Sequence, residues 1–179
     1  MRRIRIVVAY DGTNYCGWQI QPNGITIEEI LNRQISKLTG EDIRIIGASR
    51  TDSGVHALGN VAVFDTESRI PGDRFAYALN QKMPEDIVIV RSDEVQIDWH
   101  PRYQNEISKT YEYHIYNAKV RNPLKNRYST FVSFDLDVEK MRQGAKYILG
   151  EHDFASFCNV RTNAKDTVRT VHELSLIHI

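Results

Sequence analysis

The residues with the clearest chemical potential lie in one run, Gly47-Ala48-Ser49-Arg50-Thr51-Asp52-Ser53-Gly54-Val55-His56. It sets a carboxylate between two small hydroxyl side chains, with an arginine shortly before it. A carboxylate in such a loop can attack an electrophilic carbon, take a proton, or stabilise positive charge developing beside it. Ile43, Ile45 and Ile46 precede the run and suit a strand end. Ser53-Gly54 is a turn signal, since glycine accepts a positive φ without a Cβ clash. Asp52 is therefore expected at an exposed corner where a strand enters a loop. An aspartate two residues before a glycine is also a common turn former, so Asp52 on its own names no chemistry.

Composition removes several alternatives. The chain has 179 residues, enough for one or two domains with a real core. Lys+Arg and Asp+Glu both total 23, so attraction to an anionic partner has to come from local patches rather than net charge. Charge is segregated along the chain. Lys119, Arg121, Lys125 and Arg127 fall between Asn117 and Phe131 with no acid, whereas Glu85, Asp86, Asp93, Glu94 and Asp98 face only Arg91 in the stretch from Glu85 to Asp98. Cys16 and Cys158 have no C-x-x-C spacing and build neither a disulfide framework nor a zinc site. The histidines are scattered without H-E-x-x-H spacing, and neither a metal nor another cofactor is expected. No run approaches the ~20 apolar residues of a membrane span. Met1-Arg2-Arg3-Ile4-Arg5 lacks the apolar segment of a signal peptide, so a cytoplasmic protein without membrane contact is expected.

The elements that must position Asp52 follow from periodicity. Ile4 to Tyr10 is β-branched and alternating, a strand. Thr26 to Leu38 is a helix whose stripe is Ile27, Ile30, Leu31, Ile35 and Leu38. Thr26 and Glu29 form a capping box at its start, and Gly40 stops it. Ile43 to Ile46 and Val61 to Phe64 are strands on either side of the Asp52 loop. Pro71 to Lys82 is a second helix, with Phe75, Ala76 and Leu79 on one side, ended before Pro84. Ile87 to Val90 is a further strand. The order β-α-β-β-α-β is the split, ferredoxin-like pattern of an α+β fold, two helices covering one face of an antiparallel sheet. A second unit then starts: a strand over Tyr111 to Tyr116, a helix over Val138 to Leu149, and a strand from Val168 onward.

Three further segments join the Asp52 run. They are Tyr10-Asp11-Gly12-Thr13-Asn14-Tyr15-Cys16-Gly17-Trp18-Gln19-Ile20-Gln21, Ser108-Lys109-Thr110-Tyr111-Glu112-Tyr113, and Gly150-Glu151-His152-Asp153-Phe154-Ala155-Ser156-Phe157. In this order, and spread over almost the whole chain, they closely resemble the motifs of the tRNA pseudouridine synthase A family. The resemblance implies two ferredoxin-like units sharing one mostly antiparallel sheet with helices on one face, the second unit incomplete here. It divides the chain into residues 1–104, carrying the catalytic loop, and 105–179, carrying a substrate tyrosine. The pattern breaks off inside the apolar stretch Leu174 to Ile179, which suggests a chain truncated at its C-terminus.

The same resemblance implies the chemistry. Asp52 aligns with the catalytic aspartate, Tyr111 with the tyrosine that packs on the target base, and Arg50 with the residue that occupies the space left by that base. Uridine would become pseudouridine in the anticodon stem-loop of tRNA, at positions 38–40, by an enzyme acting as a homodimer. Asp52 would be ionised for either covalent attack or removal of a ribose proton. Arg50 and the backbone N–H groups around Gly54 are expected to favour that form. The target base must leave its stack to reach a side chain. Asp11, Gly12, Gly17, Trp18 and Gln19 are expected to form a loop beside the cleft, His56 to hydrogen-bond within the catalytic loop, and His152 to Phe157 to form a packed supporting loop. Two other readings compete: a catalytically inactive RNA-binding fragment of such an enzyme, and an aspartate-dependent hydrolase, for which no second carboxylate or metal set stands near Asp52 in the sequence.

Overall fold

Alternation in Arg2-Arg3-Ile4-Arg5-Ile6-Val7-Val8-Ala9-Tyr10 puts Ile4, Ile6, Val8 and Tyr10 on one side of a strand, and these four are the buried residues of β1 (Arg2–Tyr10). The computed structural model describes residues 1–103, 108–158 and 166–177. They form two compact units, Met1–Tyr111 and Glu112–Ile179. The boundary expected between residues 104 and 105 lies outside the described residues, as do His178 and Ile179; the strand expected from Val168 onward ends at Val171, and residues 172–177 are not strand.

In the first unit β1 is followed by α1 (Ile27–Thr39), β2 (Ile46–Gly47), β3 (Ala57–Thr66), α2 (Phe75–Asn80) and β4 (Ile87–Val95). The strands form one antiparallel sheet in the order β2-β3-β1-β4. Ile27, Ile30, Leu31 and Ile35 of α1 and Phe75 and Leu79 of α2 share a single buried cluster with the inward residues of β1 and with Ala62, Phe64, Ile87 and Ile89. Both helices therefore cover the same side of the sheet. On the opposite side the register sets Arg3 beside Asp65 and Arg5 beside Asp93. Each pair is bidentate, at 2.7 and 2.8 Å for Arg3 and 3.0 and 2.6 Å for Arg5. The Arg5 guanidinium also lies 5.2 Å from the centre of the Trp99 ring.

Helix α1 has the expected start and stop. The Glu29 N–H donates to Thr26 Oγ1 at 3.3 Å, and Gly40 closes the helix at φ 77°. The strand expected over Ile43 to Ile46 is shorter than its apolar pattern suggests. The N–H groups of Ile43 and Ile45 donate to Ser36 Oγ and Asn32 Oδ1 of α1, both at 2.9 Å. With its donors taken by the helix, this segment pairs with β3 only at Ile46 and Gly47. The second helix is also shorter. Gly72–Arg74 is a 3₁₀ turn, and α2 ends at Asn80, whose amide bonds both the N–H and the C=O of Ile89, at 2.8 and 2.9 Å.

The second unit contains β5 (Ile115–Asn117), parallel to β6 (Thr130–Val132), then α3 (Val138–Ala145), and β7 (Gly150–Asp153), antiparallel to β8 (Val168–Val171). The strand expected from Tyr111 begins only at Ile115, since residues 111–114 have no ladder partner among the described residues. The helix expected to Leu149 ends at Ala145 and continues as i→i−3 turns, with Tyr147 N–H on Gly144 O and Ile148 N–H on Ala145 O. Glycine at position 144 weakens the α-helix there. The described strands form one four-stranded and two two-stranded sheets. Among the described residues of this unit only Ala145 is buried. The segment His152 to Phe157, expected to pack, is exposed apart from a half-buried Phe154, and Phe157 keeps 81% of its surface. Its order comes instead from Asp153, which accepts from Ala155 N–H at 2.9 Å and from the Thr167 hydroxyl.

Candidate active site

The Asp52 run follows β2 and returns into β3, and its backbone is pinned from beneath by the first motif. Gly47 lies over the Trp18 indole, so close that a Cβ there would come within 2.6 Å of the ring nitrogen. The Trp18 main-chain N–H donates to Thr51 O at 3.0 Å. Gly17 has φ 81°, and a Cβ on it would stand 2.5 Å from that same carbonyl. Glycine is required there both for its backbone angle and for the close approach. On the far side of Asp52, the Ser53 hydroxyl and the Gly54 N–H both donate to Tyr15 O, at 3.2 and 3.3 Å.

A buried hydroxyl braces the other flank. Tyr10 OH shares a 2.9 Å hydrogen bond with Thr51 Oγ1 and accepts from Asn60 Nδ2 at 3.5 Å, while the same amide donates to Ser49 O at 3.0 Å. Burial raises the Tyr10 pKa, and the hydrogen bonds with Thr51 and Asn60 pull it partly back. Tyr15 is held by Asp86, whose carboxylate accepts its hydroxyl at 2.5 Å. Burial, and then the adjoining Asp86 charge and hydrogen bond, raise the Tyr15 pKa as well. Both phenols stay protonated and act as fixed hydrogen-bonding posts.

Within this frame the Asp52 and Arg50 side chains are exposed, and among the described residues they form no ion pair with each other. The N–H groups expected to favour the Asp52 carboxylate are used elsewhere: Gly54 N–H on Tyr15 O, and Val55 N–H on the Asp52 main-chain carbonyl at 3.2 Å. His56 turns back to the first motif, with Nδ1 at 3.0 Å from Asp11 Oδ1 and 3.2 Å from the Gly12 nitrogen. The third motif reaches the loop through Lys109, whose Nζ donates to Ala48 O at 3.4 Å. Tyr111 of that motif is 81% exposed.

Sequence reading missed several supports. Asn60 is a buried amide directly before the apolar run Val61 to Phe64, a signal that could have been read. Asp86 and Arg102 carry no local signal, because their partners are distant in sequence; Arg102 Nε donates to Gly47 O at 2.8 Å. In the basic stretch from Asn117 to Phe131, Lys119 is neutralised by Asp135 at 2.8 Å, while Arg121 keeps its charge and lies over the Phe131 ring at 4.8 Å. Among the described residues no group of three or more His, Cys, Asp or Glu side chains could hold a metal ion. No helix among them is long and apolar enough to cross a membrane.

The profile of a family described as tRNA pseudouridine synthase matches residues 6–104 and 145–179. The chain is 50% identical over 176 residues to a tRNA pseudouridine synthase A of Acetivibrio thermocellus, covering 98% of this chain and 72% of that protein. It is 45% identical to the protein of that name from Thermoanaerobacter sp. over the same shares. Against that from Geotalea daltonii it is 44% identical over 179 residues, 100% of this chain and 73% of that protein.

Proposed function

From the premise that this chain belongs to the tRNA pseudouridine synthase family, a family of isomerases, we propose that it converts uridine to pseudouridine at positions 38–40 of the tRNA anticodon stem-loop. Asp52 is the catalytic residue of this reading. The observation that carries it is an exposed carboxylate on a loop whose backbone is held on both flanks by buried groups, Thr51 by Trp18 and Tyr10, and Gly54 by Tyr15. Such a loop presents charge to a substrate without reorganising, which is what electrostatic stabilisation of a transition state requires. The sheet order β2-β3-β1-β4 with both helices on one side supports reading the first unit as ferredoxin-like.

The reaction is an isomerisation. The bond from ribose C1′ to N1 of uracil breaks, the base turns, and C1′ bonds to C5. The C5 proton leaves and N1 ends protonated, so the formula is unchanged and no oxidant is needed. Asp52 either bonds to the sugar or removes a ribose proton while facing the positive charge at C1′. The target nucleotide is flipped from its stack. Tyr111 receives the base, and Arg50 fills the gap it leaves. The enzyme works in the cytoplasm as a homodimer.

Release of tritium from tRNA labelled at uridine C5 tests this directly. The protein should release tritium from anticodon-stem uridines, and Asp52→Ala should release none above background. Equal release by the two proteins would remove Asp52 from the mechanism. tRNA binding with no release by the parent would leave the non-catalytic RNA-binding reading in its place.

A further inference from the structure

The Asp52 loop begins with two main-chain carbonyls that each take a cation from a distant segment. Arg102 Nε donates to Gly47 O, and Lys109 Nζ donates to Ala48 O. Arg50 follows two residues later with its side chain exposed. Against these three positive side chains the loop carries one carboxylate of its own, Asp52, and meets Asp11 at His56. A chain without net charge thus concentrates cations at the entry to its candidate site, the local arrangement that attracts an anionic ligand.

Arg102 is distinctive among the three. Its Nε–H is occupied by Gly47 O, which fixes the plane of the guanidinium, yet its terminal nitrogens have no hydrogen-bond or ion-pair partner among the described residues. A guanidinium offers its terminal edge as a fork that matches two oxygens of a phosphate. The arginines of the sheet show what happens when a carboxylate is near: Arg3 and Arg5 are both taken bidentately. The residue is exposed, so the fork is open to solvent.

We propose that Arg102, anchored through Nε to the first carbonyl of the Asp52 loop, binds a phosphodiester of the substrate RNA with its terminal guanidinium edge. This rests on the reading of the protein as a tRNA-modifying enzyme. One contact then does two things: it sets the register of the RNA backbone, and it ties that backbone to the loop bearing Asp52. Phosphate contacts position a nucleic acid in this way without reading its sequence.

The test is unmodified tRNA binding at several salt concentrations for the parent protein, Arg102→Ala and Arg102→Lys, with tritium release measured alongside. Each phosphate contact contributes about 0.7–0.9 to the slope of log affinity against log salt. Arg102→Ala should lower that slope by about one contact's worth and weaken binding about tenfold at low salt. Arg102→Lys should restore the slope, because its charge still reaches the phosphate, but should turn over about tenfold or more slowly, because an ammonium cannot hold the loop carbonyl and fork a phosphate together. An unchanged slope in Arg102→Ala overturns the proposal even if turnover falls, since Arg102 would then only brace the loop. Failure of the parent to bind tRNA or release tritium instead overturns the functional reading and this inference with it. Arg102 lies outside the buried core, and urea-unfolding midpoints of both variants within the parent's range verify that a changed slope reports a lost contact and not a lost fold.

Discussion

At the scale of single residues, the Asp52 loop depends on the residues packed against its backbone. Gly17 is the sharpest case, because it combines φ 81° with a backbone carbonyl 2.5 Å from where a Cβ would be. Gly17→Ala should lower stability by about 1–3 kcal/mol and reduce turnover with it, since the displaced carbonyl belongs to Thr51. A urea-unfolding midpoint equal to the parent's would mean that the loop yields to the methyl group. Tyr10→Phe removes the hydroxyl shared with Thr51 and Asn60. It should cost about 1 kcal/mol, with a larger effect on tritium release than on RNA affinity, because it loosens the loop without touching a charge.

At the scale of elements, two polar side chains decide where helices start and stop. Thr26 is fully buried and caps α1, so Thr26→Ala should lower the unfolding free energy by about 1 kcal/mol. Asn80 satisfies both main-chain groups of Ile89 from the end of α2. Asn80→Leu would leave that donor and acceptor unpaired along the outer edge of β4, at about 1–3 kcal/mol for each group kept from water. If chemical denaturation shows less than 1 kcal/mol for Asn80→Leu, water has replaced the amide. The short β2 belongs here too. Isoleucines at 43, 45 and 46 suggest a strand, but Asn32 and Ser36 of α1 claim the donors of the first two.

At the scale of the molecule, the two units differ in how much they bury. The first holds a cluster including Trp18, Phe64 and Phe75, whereas in the second Ala145 alone is buried among the described residues. Amide exchange should therefore be slowest in β1, β3 and α1 and faster throughout β5 to β8. Equal protection in both would contradict the burial. The raised Tyr10 and Tyr15 hydroxyls shape the alkaline limit. An unfolded tyrosine loses its proton near pH 10, while the folded chain keeps these two. Their contribution is whole below pH 10, and stability falls as pH rises above it. Unfolding midpoints at pH 8, 10 and 11 should show that fall, and Tyr15→Phe should flatten it.

What could be read from one dimension was periodic or contiguous. Alternation over Ile4 to Tyr10, the stripe from Ile27 to Leu38 with its cap at Thr26, and the β-α-β-β-α-β order are local consequences of side-chain spacing, and they reappear as β1, α1 and the four-stranded sheet. The Asp52 run and the three further contiguous motifs, taken in order, were sufficient to point to a family. Folding alone decided how the motif is held. Trp18 on Thr51, Tyr15 on Gly54, Asn60 on Ser49 and Arg102 on Gly47 join residues 11 to 55 positions apart. Contacts at such separations leave no periodic trace, because each needs only a donor at one place and a carbonyl at another. They become visible once the sheet order brings those segments together.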